Sequence, residues 1–413
     1  MAIWSEKEIK FVIDESKKGK TRKEIAEDFN EKFGTRRTAN SIKHCIETYS
    51  DYDLVEEAHI DSIKKLHTAR KSRSKVAKEN KAILDYVEAS ECFIESFKDA
   101  LKANPPIVYE PATSMPKKPS KRAIVAHMSD MHIQAQIDEE EMGGINKYGN
   151  LEESRRLAYF VREIANYKLP HRKETELVLS INGDILQGII HDLESTPAIT
   201  TQVSATLHLL SQAISYLGTK FGKVRVVCTG GNHERMMHKG NKGRQMREKW
   251  DSFATIVYIG LQHSLKGHKN IEIEIPTTPY AYVDILGHKY FFTHSDTVLS
   301  IGYPGKSINV ESAKNKINDL KEGIGHIDVV CVGHVHVDTK QILPNGITLL
   351  TNGSMSGLDS FALGIGITAN NPTQQIWEVT PEHAVGDLRS VQLKGADKME
   401  ELDELIEPFS GKF

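Results

Sequence analysis

At 413 residues the chain exceeds what one ordinary core supports, so two or more domains are expected. Hydrophobic residues make up 39% and charged residues 26%, and 53 Lys and Arg stand against 56 Asp and Glu, so bulk charge excludes non-specific attraction to nucleic acid and leaves only local patches. Cys45, Cys92, Cys228 and Cys331 are scattered without a C-x-x-C pair, the first residues are too charged for a secretory signal, and no apolar run is long enough to span a bilayer. These features exclude a cysteine-rich zinc module and predict reduced thiols in a cytoplasmic protein.

Residues 1–50 read as three short helices. "SEKE" from Ser5 and "TRKE" from Thr21 each place a hydroxyl three residues before a glutamate, the capping-box pattern, and Thr38 is placed to cap a third helix, "TANSIKHCIETY". Apolar residues recur at helical spacing: Trp4, Ile9, Val12 and Ile13, then Ile25, Ala26 and Phe29, then Ala39, Ile42, Ile46 and Tyr49, which predicts a small trihelical core. With its early tryptophan and "GKTRKEIAEDF" leading into an Arg-Thr-started third helix, this pattern resembles Myb-like and helix-turn-helix DNA-binding modules. The resemblance implies that the third helix enters the major groove, with Arg36, Arg37, Asn40, Lys43 and His44 near DNA. Small helical bundles that bind protein are the competing reading.

Residues 53–102 hold neither proline nor glycine through Leu101 and are predicted as a charged helical arm. "KKLHTARKSRSKVAKENK", residues 64–81, carries eight basic residues and one acidic one, which favours a phosphate-facing surface over a merely solvated helix. Ile83, Leu84, Val87, Phe93, Ile94, Phe97 and Leu101 fall at threes and fours, so the arm is a candidate for homo-oligomer contacts. Residues 103–121 are proline-rich and predict a semi-rigid linker.

From residue 122 short apolar strands alternate with helical stretches, an α/β layered domain with its chemistry at the strand ends, extending to about 395 before an acidic tail, 396–413. The strand ends carry Asp130 and His132 in "SDMH", Asp184 in "NGD", Asn232 and His233 in "GNHE", His294 in "THSD", and His334 and His336 in "GHVH". Carboxylates, imidazoles and one amide form a donor set for borderline divalent metals such as manganese, iron or zinc. In this order the five motifs resemble the calcineurin-like metallophosphoesterase superfamily. The resemblance implies a layered β-sandwich flanked by helices, with one metal on Asp130, His132, Asp184 and His336, a second on Asp184, Asn232, His294 and His334, and Asp184 bridging. It further implies two divalent cations, manganese first with iron or zinc as alternatives, that acidify a bridging water into the nucleophile. His233 then protonates the leaving oxygen, or only orients the substrate.

Stretches such as "GNHERMMHKGNKGR" and "TNGSMSGLD" resemble phosphoesterases often encoded in phages and prophages, which suggests a bacterial or phage-infected cell. Where many superfamily members carry Asp or Asn three residues after the motif aspartate, this chain has Gln187. His191 and Arg235 are candidate phosphate contacts or ordinary hydrogen-bonding side chains. The metal ligands alone name no substrate. The trihelical module, the basic arm and "HKGNKGRQMREK" after His233 favour DNA as partner, and hence a DNA-directed phosphodiesterase, a nuclease. The alternatives are a phosphatase or small-molecule phosphodiesterase localised by its N-terminal module, and a non-enzymatic DNA-binding regulator with a structural metal site.

Overall fold

Capping chemistry starts the N-terminal helices of the computed structural model, which describes residues 4–49, 107–110, 121–167, 174–190, 197–236, 250–302, 308–364 and 371–411. The expected arm, most of the proline-rich linker, His191 and the basic run after Met236 lie outside those residues. α1 (Glu6–Lys17) and α2 (Arg22–Phe33) begin at Ser5 and Thr21 with both halves of each capping box formed. Thr38 accepts the Ser41 N–H to start α3 (Ala39–Tyr49). Of the apolar residues expected at helical spacing, Ile9, Val12, Ile13, Ile25, Ala26, Phe29 and Ile42 are buried together with Cys45, and Trp4, Ile46 and Tyr49 are partly buried against them. This trihelical unit belongs to one division of the chain, Met1–Ser96, and the rest of the described residues to another, Phe97–Phe413.

In the larger unit two sheets stack face to face between helical layers. The first runs β11 (Arg389–Gln392), β10 (Thr373–Val379), β1 (Ala123–Met128), β2 (Glu176–Asn182), β3 (Lys223–Thr229), β4 (Ile271–Glu274); β1 to β4 are parallel and β10 is antiparallel to β1. The second runs β5 (Tyr280–Ile285), β6 (His288–Thr293), β7 (Val329–Val332), β9 (Thr348–Thr351), β8 (Thr339–Ile342), with β6, β7 and β9 parallel. Alternation along each strand divides the cores. Val125, Val178, Val227, Phe292, Val329 and Trp377 fill the space between the sheets. Ile124, Leu177, Leu179 and Val226 face the other way, toward α4 (Asn150–Ala165), α5 (Ile199–Lys220) and α6 (Phe253–Ser264). Phe291, Val330 and Leu349 meet α7 (Val310–Ile324) on the far side. The layered sandwich flanked by helices is therefore the observed fold. Among the described residues no helix is long and apolar enough to cross a membrane.

Part of the expected linker and the expected acidic tail are docked on the larger unit. Tyr109, inside the proline-rich stretch, donates its N–H to Ser215 on α5 and its hydroxyl to the Leu405 carbonyl. The expected acidic tail folds back as two short 3-10 turns, Lys394–Lys398 and Glu400–Glu404, burying Ala396, Leu402 and Ile406 against the helical layer. Its acidic residues have partners remote in sequence: Asp397 and Asp403 pair with Arg156 and Arg155 on α4.

Candidate metal centre

β1, β2 and β3 run parallel, as do β6 and β7, and each ends in a turn that carries one of the sequence motifs. Asp130, His132, Asp184, His334 and His336 all have positive φ, between 49° and 68°. Each such non-glycine residue costs on the order of 1 kcal/mol or more, so the surrounding bonds must over-determine the shape. They do: the N–H groups of Asp130, His132 and Ile133 donate to the carbonyls of Gly183, Asp184 and Ile185, which locks the first two motif turns side by side. Gly231 leaves no room for a side chain, since a Cβ there would lie 2.1 Å from Asp184 Oδ1.

Buried amides satisfy the main chain where the sheet ladder stops, because one amide both donates and accepts. Gln374 accepts from Ser129 N–H and donates to the Ser129 carbonyl, fixing the residue before Asp130. Asn182 donates to the carbonyls of Thr293 and Cys331, joining the ends of β2, β6 and β7 across the two sheets. Glu234 adds a carboxylate that accepts from Ile185 and Gly231; burial and the nearby Asp184 push it up to about 8.

On this frame six of the seven expected ligands bring their side chains together, with Asp184 between two groups, and Asn232 meets Asp184 through its main-chain N–H. His336 Nε2 lies 3.2 Å from Asp130 Oδ1, and His132 Nε2 lies 3.4 Å from His336 Nε2. His294 Nε2 lies 3.0 Å from Asp184 Oδ2, and the His294 and His334 rings are 5.2 Å apart. Asp184 Oδ1 accepts the N–H groups of Asn232 and His233, and Asp130 accepts that of His334. A carbonyl can only accept, so His294 Nδ1, at 2.9 Å from the Asn182 carbonyl, carries a proton and Nε2 faces the site.

Burial opposes charge on both acids and on His294, yet ion pairing prevails: His336 holds Asp130 down to about 2, and Asp184 holds His294 up to about 10. His336 is also raised, by Asp130 against burial. Burial instead drives His334 down to about 4 and His132 lower than usual, so both present lone pairs.

The residues fit divalent cations. The buried polar atoms Asn232 Oδ1 and His294 Nε2 have no hydrogen-bond partner, although His294 keeps its ion pair with Asp184, and two imidazole nitrogens face each other in the His132–His336 pair. Among the described residues, three groups have donor atoms mutually within 4.8 Å: Asp130, His132 and His336; His132, Asp184 and His233; Asp184, His294 and His334. The first and third are the expected ligand sets without their shared or amide members. The second brings His233, expected as a non-ligand, against the same cavity, with its ring 4.5 Å from that of His132.

Among the remaining expected residues, Arg235 donates to Asp296 at 3.0 Å, beside the site. Gln187 meets His233 through its main-chain carbonyl, 2.7 Å from Nδ1, so the unusual side chain at this position leaves the contact intact. In the N-terminal unit, Arg36, Asn40, Lys43 and His44 are exposed, and Lys43 lies 3.7 Å from Glu47. Arg37 instead stacks 4.2 Å over the Trp4 ring, with its backbone held by Asn30. Asn182, Gln202 and Gln374 were not legible as parts of the site, because their partners lie far along the chain or are main-chain atoms.

A family model described as calcineurin-like phosphoesterase matches residues 124–338. A search of curated protein sequences finds no match to the chain. Among solved structures, a conserved uncharacterized protein of Streptococcus pneumoniae is 13% identical, with 66% of this chain and 98% of that chain covered and a TM-score of 0.26. Vacuolar protein sorting 29 of Cryptosporidium parvum is 12% identical, covering 67% and 94% at a TM-score of 0.31, and a hypothetical protein of Pyrococcus horikoshii is 11% identical, covering 69% and 95% at 0.34. Likenesses this slight carry no argument about function.

Proposed function

The chain belongs to the calcineurin-like phosphoesterase family, and from that premise we propose that it is a metal-dependent phosphodiesterase whose substrate is DNA. Membership implies a metal-dependent phosphoester hydrolase. The observation that carries the reading is the placing of Asp184 between two donor groups, Asp130, His132 and His336 on one side and His294 and His334 on the other. One cation would be held by Asp130, His132, Asp184 and His336, and a second by Asp184, Asn232, His294 and His334. Two such cations, when bound, neutralise charge on the phosphoryl oxygens and lower the pKa of the attacking water.

The chain's own residues do the rest. Main-chain N–H groups hold Asp184 and Asp130 in one orientation, so the site needs little reorganisation when it fills. His233, with Nδ1 turned to Gln187, directs Nε2 into the site, where it donates a proton to the departing oxygen. Arg235, fixed by Asp296, adds positive charge beside the cavity for a substrate phosphate.

DNA as substrate rests on the eight basic residues against one acidic residue over 64–81, on the basic run 238–249, and on the capped trihelical unit with Arg36, Asn40, Lys43 and His44 exposed. Two observations favour a second reading, a phosphatase or small-molecule phosphodiesterase that the N-terminal unit only localises: Arg37 is engaged by Trp4, and Lys43 has an acidic neighbour. The test is an activity panel with and without manganese on single-stranded DNA, duplex DNA, aryl phosphate diesters and aryl phosphate monoesters. DNA cleavage that requires the metal supports the first reading. Hydrolysis confined to the small esters supports the second, and inactivity on all four with bound metal leaves only a structural site.

A further inference from the structure

Gln202 lies in the first turn of α5, fully buried, and its amide joins the Gly188 turn to the residue before the helix N-cap. Its Oε1 accepts the Gly188 N–H at 2.7 Å, and its Nε2 donates to the carbonyls of Pro197 at 2.8 Å and Gly188 at 3.2 Å. Gly188 has φ 75°, and a Cβ there would lie 1.8 Å from the His233 carbonyl oxygen, so the turn packs directly on the main chain of His233. The Gln187 N–H donates to the Ile133 carbonyl, which ties the near side of the turn to the strand-end frame. What remains is the Gln187 carbonyl, and it points at His233 Nδ1 from 2.7 Å.

We infer that Gln202 is a positioning residue: by fixing the Gln187–Gly188 turn it sets the tautomer and ring orientation of His233. The acceptor is a main-chain carbonyl, so Nδ1 carries a proton, and Nε2 is the ring atom turned to the substrate, the one through which a proton passes to the departing oxygen. A carbonyl offers no charge to draw the ring toward it, so its direction has to be imposed geometrically. The two hydrogen bonds from Gln202 to Gly188 impose it, and the third, to Pro197, anchors the amide. A buried methionine of nearly the same shape removes all three and leaves every metal donor in place.

The inference rests on the proposed role of His233, and its test separates the two. Gln202→Met is compared with wild type by long-range 1H–15N spectra of histidine-labelled, zinc-loaded protein, with the His233 signals assigned from their loss in His233→Asn. Wild type is expected to show the Nδ1–H tautomer, and Gln202→Met a mixed tautomer with faster exchange of the Nδ1 proton, at unchanged metal content. Gln202→Glu, which restores an acceptor for Gly188, is expected to recover the wild-type signal in part and serves if the methionine variant does not fold.

In turnover with manganese, Gln202→Met should lose roughly 10- to 100-fold on diesters with poor leaving groups and less than about 3-fold on activated aryl diesters. In a His233→Asn background it should add nothing further to that difference. An unchanged tautomer overturns the inference, as does a parallel loss on all substrates that follows metal content. A shifted tautomer in a protein that hydrolyses nothing supports the positioning role and counts against the hydrolase reading.

Discussion

Asp397→Ala tests whether the folded C-terminal segment supports the site. Arg156 is the buried centre of that contact: Nε and one Nη donate to the two Asp397 oxygens at 2.8 Å, the other Nη donates to the Met355 and Ser356 carbonyls, and Asn146 and Lys147 accept the rest. Its side chain is 0% exposed and that of Asp397 is 20% exposed. Removing one partner of a buried pair leaves an uncompensated charge and costs about 3–5 kcal/mol, and the partial exposure of Asp397 places this case near the lower end, at about 3 kcal/mol. For the unit Phe97–Phe413, an unfolding entropy of roughly 2.1 cal/mol/K per residue makes that about 5 °C in Tm. Urea denaturation and calorimetry of the variant read both quantities. Because Met355 N–H donates to the Asp130 carbonyl, metal affinity should weaken as well. The double variant Arg156→Met, Asp397→Leu should recover part of the loss, since it removes the charge together with its partner. Stability of Asp397→Ala within about 0.5 kcal/mol of wild type would mean that no buried charge had been left unpaired.

Asp184→Asn should leave a folded protein with hydrolysis reduced to background and metal content lowered, read by elemental analysis beside the activity panel. Proton release should accompany cation binding. In the metal-free protein His294 is held up to about 10 and contributes stability that is full below its ordinary value and lost as pH rises through about 10, whereas lowered Asp184 contributes above its ordinary value and fails in acid. Zinc titrated calorimetrically at pH 8 in buffers of different ionisation enthalpy should therefore displace a proton, and affinity should fall as pH is lowered; affinity that rises toward acid would contradict the pairing. Deleting residues 1–102 should weaken DNA binding and flatten its salt dependence while cleavage of a small activated diester survives, and equal binding by both proteins at every salt concentration would end the recruitment idea.

The clustering of Asp and His donors was legible before folding because donors at the ends of short apolar strands betray a shared edge. Capping boxes at Ser5 and Thr21 and the periodic apolar faces were legible for a similar reason, since both are local in sequence. Other features depended on chain folding over long separations. Asn182 reaches Cys331, Gln374 reaches Ser129 and Arg156 reaches Asp397, contacts that leave no local pattern, so a segment that packs against the helical layer reads only as an acidic tail. The partner of His233 was hidden for a different physical reason. It is the main-chain carbonyl of Gln187, an atom every residue possesses, and only the turn held by Gln202 decides where it points.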